Sequence, residues 1–196
     1  MTILSTIASA FKGGGGARVP LARSFTSPWQ WAIERSGTQL PYDYGRAVRQ
    51  GFLENPVAQR AVRLVSEGVG GAPLAPADPH LLKLVGATSA GQTLLETLAA
   101  QLLMHGNGFV QVLRDAGGQV VELFALRPER VSVVPGDDGW PAAYRYRVGD
   151  RTVTMPAEDA DGWPALIHLK CFHPADDHYG AGALAAAEQA VAVHNA

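Results

Sequence analysis

His168, Cys171, His173, Asp176, Asp177 and His178 form the chain's densest set of metal-binding donors. Imidazole, thiolate and carboxylate together suit zinc or another divalent ion, and a metal-dependent hydrolase would be the chemistry to expect. The spacing matches no zinc signature, and a second ligand pair elsewhere in the sequence is missing. On a strand, His168 would point opposite to Ile167 and Leu169, toward solvent or a hydrogen bond. Pro174 and the Asp176-Asp177-His178-Tyr179-Gly180 run read as a loop leading into a helix, with carboxylates near its positive end. Metal chemistry at this cluster therefore stands as the alternative reading.

Other catalytic signals are weaker. No Gly-x-Ser-x-Gly elbow is present, and Cys171, the single cysteine, has no recognisable catalytic context. His105-Gly106-Asn107-Gly108 could be a substrate loop, but a leucine-rich helix before it and a strand after it favour a helix-stop turn. Lys12-Gly13-Gly14-Gly15-Gly16 resembles a phosphate cradle only superficially. Ala17-Arg18 follows where Gly-Lys-Ser/Thr is required, so a flexible tether is expected. Trp29, Trp31, Trp140 and Trp163 flank prolines or turns and read as packing anchors, not base-stacking platforms. The expectation is a non-enzyme with no cofactor.

The elements that would carry these residues follow from periodicity and stop signals. Ile3, Leu4, Ile7 and Phe11 have helical spacing, and residues 1–26 are expected to form a mobile arm. Ser27-Pro28 predicts a short helix through Trp31 and Ile33, ending near Gly37. Asn55-Pro56 predicts another, with Val57, Ala61, Leu64 and Val65 as one apolar stripe, Gln59, Arg60, Arg63 and Glu67 opposite, and Gly68 as the stop. Gly70, Gly71 and Pro73 then predict irregular chain. Ser89 and Gln92 have capping-box spacing ahead of a helix with a broad face of Leu94, Leu95, Leu98, Leu102 and Leu103. Its cap would be Gly106.

Beyond Asn107 the period becomes extended. Residues 109–114 and 120–126 predict a hairpin through Asp115-Ala116-Gly117-Gly118, and 131–134 a third strand after the Arg127-Pro128 corner. Tyr144, Tyr146 and Val148 alternate with Arg145 and Arg147, and Gly149-Asp150 turns the chain back through 151–155. Residues 166–170 are another strand. Leu184, Ala187 and Val191 then continue a helical stripe toward Ala196 without a stop signal, as if the chain ended inside a larger protein. The fold class is α+β: helices packed on antiparallel hairpins, ending in an incomplete long helix. Residues 27–196 would be one domain.

The chain has 196 residues, 47% of them hydrophobic, and a formal net charge of -2 with no Lys/Arg run. That suffices for one sizeable core and argues against tight gripping of a phosphate backbone. DNA contact would be loose or confined to a few arginines. One thiol favours a reducing compartment, and neither a signal peptide nor a membrane-spanning run is visible.

The order of these modest features carries a family resemblance. Asn55-Pro56-Val57, Ala61-Val62-Arg63-Leu64-Val65 and Ala72-Pro73-Leu74 resemble the early helix of tailed-phage portal proteins, a family that includes gene transfer agent portals. The leucine-rich helix entering Gly106-Asn107-Gly108-Phe109-Val110 resembles that family's helix and Gly-Asn turn. Leu126-Arg127-Pro128-Glu129-Arg130-Val131 resembles its Leu-x-Pro-x-x-Val corner, and Tyr144-Arg145-Tyr146, Ile167-His168 and the loop to Gly180 complete the series. Gly86-Ala87-Thr88-Ser89 replaces the family's frequent Pro-Asn, and Gly182-Ala183-Leu184 its Ser-Pro-Leu. The clip and stem segments of family members are absent, so no channel-lining residue carries over.

The resemblance implies a wing-like region of a closed dodecameric ring at one head vertex of a virion assembled in the bacterial host cytoplasm. It implies a conduit for DNA packaging and ejection, nucleation of head assembly, and docking of the motor and neck. Implied partners are other copies of the chain, the major capsid protein, the terminase motor, neck adaptors and double-stranded DNA passing without sequence specificity. Asn55, Pro56, Gly106, Asn107, Pro128, His168 and Gly180 would be its structural motif residues. An unrelated virion scaffold or adaptor is the remaining alternative.

Overall fold

The computed structural model describes residues 44–75, 78–89, 91–159 and 161–196. The expected arm, glycine tether and Ser27-Pro28 helix lie outside the described residues. A single helical turn, α1 (Tyr44–Ala47), runs into a π-helical stretch, Val48–Leu53. Asn55 then caps α2 (Pro56–Gly70), its Oδ1 accepting the Ala58 N–H at 2.9 Å, with Pro56 at a position whose missing N–H costs nothing.

Helix α2 departs from the sequence expectation twice. It runs past Gly68 to Gly70, and Gly71 closes it through an N–H bond to the Glu67 carbonyl. The predicted stripe also faces the wrong way: Val57, Ala61, Leu64 and Val65 are exposed, and the buried positions are Val62 and Ser66. The reason is close packing on the next long helix. Ser66 and Gly70 are small, and a Cβ at Gly70 would lie 2.8 Å from Glu96 Cβ and 2.9 Å from Thr93 Oγ1. Close approach of two backbones outweighed burial of the larger side chains.

A helix not anticipated from the sequence, α3 (Pro79–Val85), uses the same Asx-Pro logic, Asp78 Oδ1 accepting the His80 N–H at 2.8 Å. Ser89 and Gln92 do not form the expected capping box. They pair instead in a two-stranded ladder of β1 (Thr88–Ser89) and β2 (Gln92–Thr93). The cap lies four residues on, at Thr93, which starts α4 (Leu94–His105) with its Oγ1 accepting the Glu96 N–H at 3.2 Å. Leu94 and Leu98 are its buried leucines, while Leu95, Leu102 and Leu103 are half-buried. Gly106 ends it in the left-handed region at φ 79, as the sequence predicts.

Two three-stranded antiparallel sheets follow. One has the order β4 (Val120–Leu126), β3 (Asn107–Arg114), β8 (Leu166–Lys170), and the other β5 (Val131–Pro135), β6 (Pro141–Val148), β7 (Arg151–Pro156). Strand alternation divides the core between the two faces of the first sheet. Val110, paired with Ala125 and Ile167, faces α4 and packs with Leu94 and Leu98. Phe109, paired with Leu126 and His168, faces the second sheet and packs with Val131, Tyr144, Met155 and Leu166. Phe109 is 0% exposed, and each such fully buried side chain contributes about 1.5–3 kcal/mol of transfer free energy. The result is a stack in the order α2, α4, first sheet, second sheet. The terminal helix expected as one element is two: α5 (Ala183–Ala186) and α6 (Glu188–His194), joined at Ala187.

Candidate functional site

Chain order brings four of the family-motif residues, Gly106, Asn107, His168 and Gly180, to one buried junction. Gly106 stops α4 and Asn107 begins β3, so the chain must reverse within two residues. Positive φ at Gly106 permits the reversal, and lack of a side chain permits close approach, since a Cβ there would lie 2.4 Å from Ala181 C. Gly180 and Gly182 supply the other side of the contact: their Cβ positions would fall 2.1 Å from Gly106 O and 2.8 Å from Met104 O. Cys171 N–H closes the junction by donating to Gly106 O at 2.8 Å.

Asn107, 1% exposed, fills the centre. Its Oδ1 accepts from Gly180 N–H at 2.8 Å and His168 Nε2 at 3.0 Å. Its Nδ2 donates to His105 Nδ1 at 3.0 Å and to the carbonyls of His105 and Gly180, both at 3.2 Å. The Gly180 N–H fixes which amide atom is oxygen, and that assignment fixes both imidazoles. His168 must carry its proton on Nε2, and His105 must leave Nδ1 bare.

Surroundings keep both rings neutral. Burial pushes the His168 pKa down to about 4, helped by the positive charge of Lys170 and by the His105 and His178 imidazoles whenever they are protonated. Burial lowers His105 as well, with the Glu129 carboxylate pulling the other way. His168 is stacked on Phe109 at 4.2 Å between centroids and stands edge-on to Tyr144 at 6.0 Å. Tyr44 meets His105 edge-on at 4.5 Å. Burial raises the Tyr144 pKa, keeping the phenol protonated. Of the two expected alternatives, His168 thus takes the hydrogen bond and not the solvent.

The donors singled out for metal binding are dispersed. Cys171 Sγ contacts Leu102 O at 3.8 Å, and His173 Nδ1 accepts the Ala175 N–H at 3.1 Å. Asp176 Oδ1 accepts the His178 and Tyr179 N–H groups at 2.7 and 2.9 Å, a loop brace where the sequence suggested a charge at a helix start. Lys170 Nζ donates to the Asp177 carbonyl. Among the described residues no three His, Cys, Asp or Glu side chains converge as a metal set. Both buried imidazoles are held by hydrogen bonds to Asn107.

The remaining motif residues frame the junction. Pro128 is buried at the head of a 3-10 turn, Pro128–Arg130, whose Glu129 supplies the charge felt by His105. Asn55, 2% exposed, makes a second junction: its Nδ2 contacts His194 Nδ1 at 3.1 Å and Asn195 Oδ1 at 2.8 Å. Asn195 Nδ2 in turn donates to Gln50 O at 2.9 Å. Sequence reasoning found Asn55 as a cap and missed this long-range tie; nothing in the local pattern could have named its partners. Tyr179 was also missed: its hydroxyl accepts the Val133 N–H at 2.9 Å, fastening the loop to β5. Trp163 lies under the Arg114 guanidinium at 5.2 Å, and Trp140 is 38% exposed.

The chain is similar to known proteins. The phage portal protein family model matches residues 56–196. A chain from the virion of a native gene transfer agent particle is 38% identical, with a TM-score of 0.70 over 85% of this chain and 47% of its own. A chain from the neck of such a particle, with C12 symmetry, is 37% identical with the same TM-score over 84% and 46%. An uncharacterized protein of Rickettsia bellii (strain RML369-C) is 23% identical, covering 79% of this chain and 43% of its own. The chain therefore spans less than half the length of these relatives. The portal match covers the stack from α2 to the last residue, both asparagine junctions fall within or at its edge, and the chain belongs to the phage portal protein family.

Proposed function

We propose that this chain is the N-terminal, wing-like part of a portal subunit, twelve copies of which form the ring at the unique vertex of a tailed phage or gene transfer agent particle. The observation that carries this reading is the 37% identity to a chain in a C12-symmetric neck. In this reading residues 27–196 form the wing-like domain, preceded by an arm at residues 1–26. Asn55, Pro56, Gly106, Asn107, Pro128, His168 and Gly180 act as its structural motif.

The junctions suit a mechanical role. A subunit at a vertex transmits load between shell, motor and neck, so its layers must not slide. Asn107 and its glycines lock α4, β3, β8 and the loop before α5 together, while Asn55 ties α2 to the end of the chain. The subunit is a structural component and not an enzyme; ATP hydrolysis belongs to the packaging motor. Partners are other copies of the subunit, the major capsid protein, the terminase motor and neck adaptors, in a virion assembled in the host cytoplasm. A net charge of -2 suits a conduit past which double-stranded DNA slides with few phosphate contacts.

Electron microscopy of the full-length gene product tests the reading. The expected result is a twelve-fold ring with a central channel. A monomer or an open filament at every concentration would overturn it in favour of an unrelated scaffold or adaptor.

A further inference from the structure

The stack has two outer faces of opposite character. On the outside of the second sheet, cross-strand register aligns Ser132 with Arg145 and Thr154, and Arg147 with Thr152, a polar surface suited to water. The outside of α2 is apolar: Val57 is 62% exposed, Leu64 60% and Val65 49%, with Ala61 between them. Helical spacing of these residues makes one continuous stripe, where isolated exposed hydrophobics would need no explanation. Arg60 and Arg63 flank it, sharing the single Glu67 at 3.2 and 3.0 Å, so the flank keeps a net positive charge.

A complementary surface lies on the same molecule. Phe172, immediately after β8, is 86% exposed, the largest value among the exposed hydrophobics. The loop it opens carries the exposed carboxylates of Asp176 and Asp177. It is not a loose loop: Tyr179 fastens it to β5, Gly180 to Asn107, and Lys170 Nζ to the Asp177 carbonyl. A rigidly presented aromatic side chain beside negative charge is the form that anchors protein interfaces, because little entropy is lost on docking.

A closed ring requires two different, mutually complementary patches on every subunit. We infer that the apolar face of α2 receives the Phe172 loop of the adjacent copy, with Arg60 and Arg63 facing its Asp176 and Asp177. Hydrophobic insertion supplies affinity, and the charge pairing sets register and excludes a two-fold, α2-to-α2 pairing that would bring arginines together. This inference rests on the ring reading above but fixes which surfaces make the ring.

The test uses the full-length product at a fixed subunit concentration, with ring and free subunit counted by mass photometry and imaged by electron microscopy. Leu64→Asp and Phe172→Ser are each expected to lower the ring-to-subunit ratio by about tenfold or more. Circular dichroism should show unchanged folding, since both side chains are exposed. Arg63→Glu and Asp177→Arg should each weaken the ring, and the two together in one chain should restore it, because the pair is re-formed across every interface. Wild-type rings with unaffected variants, or a double variant no better than the singles, would overturn the interface and leave the portal reading standing. Absence of wild-type rings would overturn both.

Discussion

Asn107 binds both main-chain polar atoms of Gly180, its Oδ1 accepting the N–H at 2.8 Å and its Nδ2 donating to the carbonyl at 3.2 Å. A side-chain amide presents the same donor and acceptor as a peptide group, so Asn107 acts as a ladder rung between β3 and a loop 73 residues away. Aspartate lacks the donors, leucine lacks both kinds of group, and glutamine is longer by one methylene. Geometry here selects asparagine alone.

Asn107→Ala should therefore destabilise the chain by about 3 kcal/mol, because it strands the Gly180 N–H and the His168 Nε2–H in a buried site. Asn107→Asp should cost at least as much near neutral pH, since its second oxygen would oppose the carbonyls of His105 and Gly180. Urea unfolding measures both. A loss under about 0.5 kcal/mol for either would mean the junction is not what holds the loop.

Glycine substitution separates backbone strain from crowding. Gly106 and Gly118 share nearly the same φ, 79 and 78, but only Gly106 has neighbours where a Cβ would go. Gly118→Ala should cost about 1 kcal/mol, the left-handed penalty alone. Gly106→Ala should cost several kcal/mol more, since the obstructing atoms are backbone and cannot rotate away. Equal losses in thermal or urea unfolding would show that the contact relaxes freely.

The buried imidazoles give the stability a pH dependence of defined sign. An unfolded histidine titrates near 6.5, whereas His168 in the fold titrates at about 4. Between those values the unfolded chain binds more protons, so stability is full above 6.5 and is lost as the pH falls toward 4. His105 adds to the loss in the same direction, because protonating its Nδ1 removes the acceptor that Asn107 requires. His168→Gln keeps an N–H donor but no titration, so its unfolding free energy should fall less steeply between pH 6.5 and 4. Parallel curves for the two proteins would remove His168 from this account.

How much of this was legible in the sequence depends on the range of the cause. The Asn55 cap, the Gly106 stop and the β3–β4 hairpin rest on bonds within a few residues, and each was readable. The orientation of α2 was not: its periodicity is real, but the buried Ser66, and Gly70 tight against Thr93 and Glu96, mark the side that packs. Nor could the fate of the His168 to His178 donors be read from spacing. Asn107, 61 residues before His168, takes that imidazole, and backbone N–H groups take His173 and Asp176. The family motif named Asn107, His168 and Gly180 without revealing that they touch.

Asn55 combines two tasks that substitution can separate. Asn55→Ser retains an N-cap oxygen for Ala58 but loses the Nδ2 contacts to His194 and Asn195. Asn55→Ala loses both. The serine variant should unfold with a modest loss, and the alanine variant should lose about 1 kcal/mol further, the usual worth of a cap. Hydrogen exchange should report faster opening of residues 188–195 in both. Exchange unchanged there would mean the tie does not restrain the end of the chain.

The outer and inner faces of α2 make opposite predictions for the free subunit. Val62 is 7% exposed against α4, so Val62→Ala removes buried methyl groups from a packed layer and should cost about 1–2 kcal/mol. Leu64, two residues on and larger, is exposed, so Leu64→Ala should change subunit stability by less than about 0.5 kcal/mol. Simple hydrophobicity would rank them the other way, because leucine loses more apolar area than valine. Urea unfolding at concentrations where rings are absent isolates this contrast. A larger loss at Leu64 than at Val62 would show that α2 packs through its predicted stripe after all and would remove the apolar outer face.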